Sequence, residues 1–349
     1  MIRPKNLLIV RTDRIGDVVL SLPLSSIIKK HLPDCKITFL VRAYTKAVVD
    51  NHPDIDNIIL LEEKNGKIPL ITNIRKISKY NFDSAVIVYP TFTTALIIFL
   101  SRINSRIGTG YRWYSFLFNQ KIYEHRKYAD KHELEYNINL LTKFGIKEEV
   151  SPGNISFKLR PDSESLNKIE QLLSGTGINS DEPLIILHPG SGGSSVDLPQ
   201  EKFKLLAEKI VNELTENIIL TGSPSEIELC ESIKVKPGIL NLAGKLSLAE
   251  VIALISKCSV FVANSTGPLH IAAALDKYTI GFYTRIPACS VQRWGPYTDK
   301  KVIFSPQIQC SGCTREQCMS LNCMNSIAVN DIFFEIKKIY KFIQTEWRK

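Results

Sequence analysis

The chain has 349 residues, more than the ~100–200 of one domain, so two domains are expected. Its 44% hydrophobic residues can bury a core in each half, and its longest apolar run, ALIIFL at 95–100, is far below the ~20 residues that span a bilayer. The net charge of +9 is lopsided: residues 1–160 hold 25 Lys and Arg against 15 Asp and Glu (+10), and residues 161–349 hold 19 against 20 (−1).

A basic lobe beside a neutral one suits an anionic partner: nucleic acid, anionic lipid or a phosphorylated substrate. No recognition-helix, RNP-type or zinc-finger pattern supports nucleic acid. Arg3 and Lys5 lead directly into a short apolar run, without the apolar centre and small-residue cleavage site of a secretory leader, so residence in the cytosol is expected.

In chain order, NLLIV (6–10) is a predicted strand, followed by the charged turn RTDRIGD and a helix near 17–31. KITFLV (36–41), NIILL (57–61) and SAVIVYP (84–90) are further strands, and TTALIIFLSRI follows them. Strands alternating with helices indicate a parallel sheet covered on both faces. The turn-rich stretch VSPGNISFKLRPDSES, from 150, is the expected linker, after which the pattern begins afresh. LIILHPG (184–190), NIILTGSP (217–224), GILNLAG (238–244), CSVFVANSTGP (258–268) and YTIGFY (278–283) are strands ending in Gly, Ser, Thr or Pro loops, each except the last followed by a predicted helix. In open parallel sheets ligands bind beyond the carboxyl ends of the strands, where these residues sit. The fold class expected is α/β, with two facing Rossmann-like domains and a cleft between them. The expected boundaries are 1–155, 156–329, and a C-terminal helix over 330–349 packing back across the domains.

Within that frame three loops carry chemistry. In HPGSGGSS, from His188 to Ser195, glycines let the backbone approach a ligand, and the NH groups of the helix start that follows favour phosphate. Such Gly-rich turns are frequent, and a plain turn explains the loop equally well. In NSTGPLHIAAAL, Ser265 and Thr266 offer hydroxyls, Gly267 and Pro268 open a helix, and His270 lies in its first turn. A dedicated cation is missing from both loops, and Arg285 and Arg293 are the candidates. In the opening turn, Asp17 is either a helix cap with a surface ion pair, or a general base flanked by Arg11 and Arg14 that orient an anionic acceptor.

Eight segments in sequence order resemble glycosyltransferase family 9, the ADP-heptose:lipopolysaccharide heptosyltransferases: RTDRIGDVVLSLP, RIGTGYRWYSFLFN, KHELEYNINLL, HPGSGGS, LTGSPSEIE, LAGKLSLAE, NSTGPLHIAAAL and RWGP. The resemblance implies the GT-B architecture, with an acceptor in the N-terminal lobe and a nucleotide sugar, ADP-heptose, in the C-terminal one. It implies inverting transfer without a catalytic metal or other cofactor, with Asp17 as the base. Arg11, Thr12, Arg14 and Gly16 would hold an anionic glycan of the lipopolysaccharide core, at the cytoplasmic face of the inner membrane. Ser191, Gly192, Gly193, Ser194, Ser265, Thr266, Gly267 and His270 would hold the diphosphate, Glu226 the ribose, and Leu246 the base. The chain departs from the family at Ser195 and Val196, where many members carry Lys or Arg, and at Ser265, where many carry Asp. Two other readings keep the cleft: a GT-B nucleotide-sugar epimerase, and a non-catalytic nucleotide-sugar-binding relative.

Of eight cysteines, Cys310, Cys313, Cys318 and Cys323 crowd one segment. They could hold a structural zinc, remain reduced thiols, or form disulfides.

Overall fold

A computed structural model describes residues 3–179, 181–308 and 313–347. The chain divides into two units, Met1–Arg160 and Pro161–Lys349.

In the N-terminal unit six parallel strands form one sheet: β1 (Asn6–Val10), β2 (Lys36–Val41), β3 (Asn57–Leu60), β4 (Ser84–Ile87), β5 (Ser105–Thr109) and β6 (Gln120–Ile122). Their order is β3-β2-β1-β4-β5-β6. Helices cover both faces of a doubly wound sheet, so its central strand is apolar at nearly every position rather than at alternate ones. Leu7, Leu8, Ile9 and Val10 of β1 are accordingly all fully buried. β1 pairs with β2 on one side (Val10 opposite Leu40) and with β4 on the other (Val10 opposite Ile87). The chain winds outward in both directions from β1, so the loop leaving β1 lies where the connections diverge and leave a crevice.

The C-terminal unit repeats this order with β7 (Ile185–His188), β8 (Ile218–Leu220), β9 (Leu240–Asn241), β10 (Val260–Asn264), β11 (Tyr278–Phe282) and β12 (Lys301–Phe304), arranged β12-β11-β10-β7-β8-β9. Its divergence point falls between β7 and β10, where Ala263 stands opposite His188. The loops leaving these two strands are the two Gly-containing segments.

Local sequence explains several helix starts. Ser247 and Glu250 form a reciprocal capping box at Leu248–Lys257, Thr91 and Thr94 form one at Phe92–Leu100, and Asp162 caps Ser163–Ser174. The final helix, Val329–Trp347, buries Ile332, Ile336, Ile339, Tyr340 and Ile343 along one stripe in the core of the C-terminal unit, against the helix Gln200–Glu213. No helix among the described residues is long and apolar enough to cross a membrane.

The structure corrects the expected elements in two places. The single helix near 17–31 is two helices, Ile15–Val19 and Pro23–His31, separated at Leu20–Leu22. Pro23 lacks an NH and cannot extend a helix that approaches it, but it suits the first position of a new one. β5 and β6 escape the sequence reading because they are short and rich in Ser, Arg, Gly, Gln and Lys, so they lack a strand's apolar run, and β12 escapes it although Val302, Ile303 and Phe304 are apolar.

Candidate active site

At the carboxyl end of β1 the chain turns sharply, and Arg11 points inward with only 1% of its surface exposed. A buried guanidinium needs partners for its five donors, and here carboxylates provide them. Arg11 Nε donates to Asp13 Oδ1 at 2.8 Å, Nη2 donates to Asp17 Oδ1, and Nη1 lies 3.5 Å from Glu133 Oε1 and 3.3 Å from Asn137 Oδ1. Arg126 pairs with Glu133 from the other side. The loss of hydration lowers the affinity of Arg11 for its proton, but the three carboxylates more than offset this and hold it charged. Asp13 responds in the opposite way. Burial, aided by the like charge on Asp17, pushes it up to about 7 despite its bond to Arg11.

Asp17 sits in the first turn of Ile15–Val19, but no side chain caps that helix. Its side chain is 14% exposed, and its Oδ2 accepts no hydrogen bond from the described residues. The surface ion pair considered from the sequence is therefore a buried one, in which Arg11 fixes one carboxylate oxygen and leaves the other open. Thr12 and Gly16 are buried beside it, and Arg14 is exposed. Glu133 and Asn137, four residues apart on one face of the helix Glu133–Asn139, complete the network. Asn137 also donates to the Leu20 carbonyl at 3.2 Å and to Ser21 Oγ at 3.3 Å, which binds this helix to the first one. Asp13, Arg126, Glu133 and Asn137 were not singled out from the sequence. The i, i+4 polar pair inside HELEYNINLL was the available signal.

In the C-terminal unit, β7 ends at His188, and Gly192 and Gly193 turn the loop with φ of +55° and +72°, a conformation that side chains with a Cβ rarely adopt. Glu226 fastens this loop to the one after β8. Its Oε1 accepts from the Gly192 NH at 3.0 Å, and its Oε2 accepts from the Ser223 NH at 2.7 Å and Ser223 Oγ at 2.8 Å. Burial acts to raise the Glu226 carboxyl, but these donors outweigh it and hold it below the usual range. The close fit requires Gly190, since a Cβ there would stand 1.9 Å from Glu226 Oε1. His188 is buried and its Nδ1 lies 3.0 Å from Thr221 Oγ1, and loss of hydration depresses it to about 4 although Glu226 pulls the other way. It is neutral at pH 7.

The loop after β10 joins the same assembly. Asn264, fully buried, donates to the Pro189 carbonyl at 2.5 Å and accepts from the Leu198 NH at 2.8 Å. Ser194 Oγ lies 2.8 Å from the Ser191 carbonyl and 2.8 Å from that of Ser265. Thr266 precedes the helix Gly267–Ala274 with extended backbone, and His270 is buried in that helix's first turns. The structure thus brings Ser191, Gly192, Gly193, Ser194, Glu226, Ser265, Thr266, Gly267 and His270 around one divergence point. Leu246 is partly exposed in the turn ahead of Leu248–Lys257, beyond β9. Of the candidate cations, Arg285 is exposed and Arg293 lies over the Trp294 ring at 4.9 Å. Asn264 was not singled out as a side chain, although a polar residue ending the apolar run SVFVA marks it.

The cysteine segment separates into parts. Cys318 and Cys323 are buried in the core of the C-terminal unit, Cys313 packs against that core, and Cys310 lies outside the described residues. Among the described residues no group of three or more His, Cys, Asp and Glu side chains is arranged to hold a metal ion.

The model of glycosyltransferase family 9 (heptosyltransferase) matches residues 71–324. The chain belongs to this family. It is a glycosyltransferase, with the α/β architecture of the GT-B class. The chain is 28% identical over 294 residues to lipopolysaccharide heptosyltransferase 1 of Campylobacter coli, covering 80% of this chain and 84% of that protein. Among solved structures it is similar to a family 9 glycosyl transferase from Veillonella parvula DSM 2008, with a TM-score of 0.82 at 17% identity over 96% of this chain and 97% of that one. It is also similar to E. coli ADP-heptose lipopolysaccharide heptosyltransferase II, with a TM-score of 0.77 at 18% identity over 98% and 99%.

Proposed function

We propose that this glycosyltransferase transfers heptose from ADP-heptose to a sugar hydroxyl of a lipopolysaccharide core, with inversion at the anomeric carbon and without a metal. The observation that carries this reading is the state of Asp17, a carboxylate fixed through one oxygen by a buried arginine and open at the other. A general base needs such an arrangement: its position is set, and a lone pair is left to take a proton. Asp17 Oδ2 removes the acceptor hydroxyl's proton as the hydroxyl oxygen bonds to the anomeric carbon, and the bond from that carbon to the diphosphate breaks on the opposite face. Attack opposite the leaving group inverts the centre.

Negative charge then collects on the departing ADP. The NH groups of Gly193 and of the start of Gly267–Ala274, with the Thr266 hydroxyl, offer donors for it. Glu226 holds the Gly192 loop in place, and its Oε1, which accepts one hydrogen bond, has a lone pair left for a ribose hydroxyl. The excess of +10 over residues 1–160 suits an anionic core acceptor handled by the N-terminal unit, at an anionic membrane face. The donor and acceptor follow the names of the C. coli and E. coli relatives.

The test is ADP release from ADP-heptose in the presence of a truncated core acceptor. Asp17→Asn keeps an oxygen for Arg11 but is not basic, so it should cut turnover by about 10²–10⁴ while leaving ADP affinity unchanged. An unchanged rate would remove Asp17 from the mechanism, and no turnover of ADP-heptose by the wild type would end the assignment of donor.

A further inference from the structure

Around the Gly-rich loop three buried polar atoms have no hydrogen-bond partner among the described residues: Ser195 Oγ, Asp197 Oδ1 and Arg315 Nε. Burying such an atom unpaired is costly, so three in one neighbourhood mark a place where a ligand, ion or water belongs. Arg315 reaches the loop from a distant part of the sequence. Its Nη2 donates to the Ser195 carbonyl at 2.9 Å, and a Cβ placed on Gly193 would stand 3.8 Å from the same nitrogen. That single bond uses one of five N–H groups, and its charge also acts on Asp197, whose carboxyl burial raises to about 6.

The cysteine-rich segment places this side chain. Arg315 is the first residue of the helix Arg315–Ser320, which Thr314 and Gln317 cap reciprocally. Behind it Cys318, Cys323 and Met324 are buried in the core, so the helix start is anchored from below. The loop itself carries Ser195 and Val196 where a cation would be most useful, and a cation arrives there from a segment 120 residues later.

We propose that Arg315 is the diphosphate-binding cation of this enzyme, reaching across the Gly192–Gly193 turn to the phosphates of the bound nucleotide. This rests on the assignment of a nucleoside diphosphate to that loop. A guanidinium suits the role because its planar fork donates two parallel hydrogen bonds to phosphate oxygens while another N–H keeps the Ser195 carbonyl. Gly193, without a side chain, leaves the space between Arg315 and the loop's NH groups open.

Calorimetric titration of the full chain with ADP and with adenosine tests it. Arg315→Ala should weaken ADP binding roughly 10- to 100-fold and leave adenosine binding unchanged, because only ADP carries the phosphates. Arg315→Lys should recover part of the loss, since it restores charge without the fork. Should Arg315→Ala fail to fold, Arg315→Gln, which keeps a donor for the Ser195 carbonyl, serves for the same comparison. Equal ADP affinity in wild type and variant overturns the inference alone, as does an equal loss for ADP and adenosine, which would make Arg315 a structural support. A wild type that binds no nucleoside diphosphate overturns the donor assignment and this inference with it.

Discussion

Replacing Arg11 with Met tests the physical basis of the N-terminal site, because it removes the charge and keeps most of the side-chain volume. In the native structure the buried guanidinium faces Asp13, Asp17 and Glu133, with Arg126 as a second cation on Glu133. Without Arg11, Asp13 and Asp17 remain close together with no countercharge between them. Removing one partner of a buried ion pair costs about 3–5 kcal/mol, far more than a surface pair is worth. The remedy open to the variant is to take up protons, so the penalty should be greatest at pH 8 and shrink towards pH 5. Hydrogen exchange reads this locally: at pH 8 amides of β1 and of the helix Glu133–Asn139 should open two to nearly four orders of magnitude more readily than in wild type, after correction for the intrinsic rate. Amides of β7 and β10 in the other unit serve as the internal reference. A change below tenfold, or one of equal size at both pH values, would refute the view that Arg11 neutralises a buried acidic cluster.

Two further outcomes follow from the same geometry. Asp13 is raised from 3.8 to about 7 in the folded chain, so between those values the folded state holds a proton that the unfolded state releases, and stability falls as pH rises through this window. Asp13→Asn, which can still accept from Arg11 Nε, should flatten that slope of melting temperature against pH, and an unaltered slope would show that Asp13 does not titrate there. Gly190→Ala should push Glu226 off both loops, because its new methyl would stand 1.9 Å from Oε1 and 2.1 Å from the carboxyl carbon. The expected cost is about 1–3 kcal/mol with weakened ADP binding, and a variant with native stability and ADP affinity would refute the claim that Glu226 fixes the loop.

Much of the fold was legible because its information is local. Runs such as NLLIV, KITFLV and SVFVAN are apolar at most positions rather than at alternate ones, as buried parallel strands must be, and turn residues at their ends mark where each strand stops. The Gly-rich loop and the NSTGP turn were legible as turns at strand ends for the same reason: the conformations they need depend on glycine and on a helix start close by. The break at Leu20–Leu22 could have been read from Pro23. β5 and β6 could not, since short strands of polar residues gain their order from the neighbours they pair with.

The sequence by itself determined two α/β units, the basic character of the first, and the identity of the segments that lie at the carboxyl ends of the strands. Only the tertiary structure decided the partners of the charged groups. Nothing in RTDRIGD shows that Arg11 is buried, or that Glu133, 122 residues later, shares it with Asp17. Arg315 meets Ser195 across 120 residues of chain. Periodicity and propensity report on residues within a few turns of each other, whereas a buried ion pair depends on which elements the packed sheet brings together. Its energy depends on a loss of water that exists only once the chain has folded.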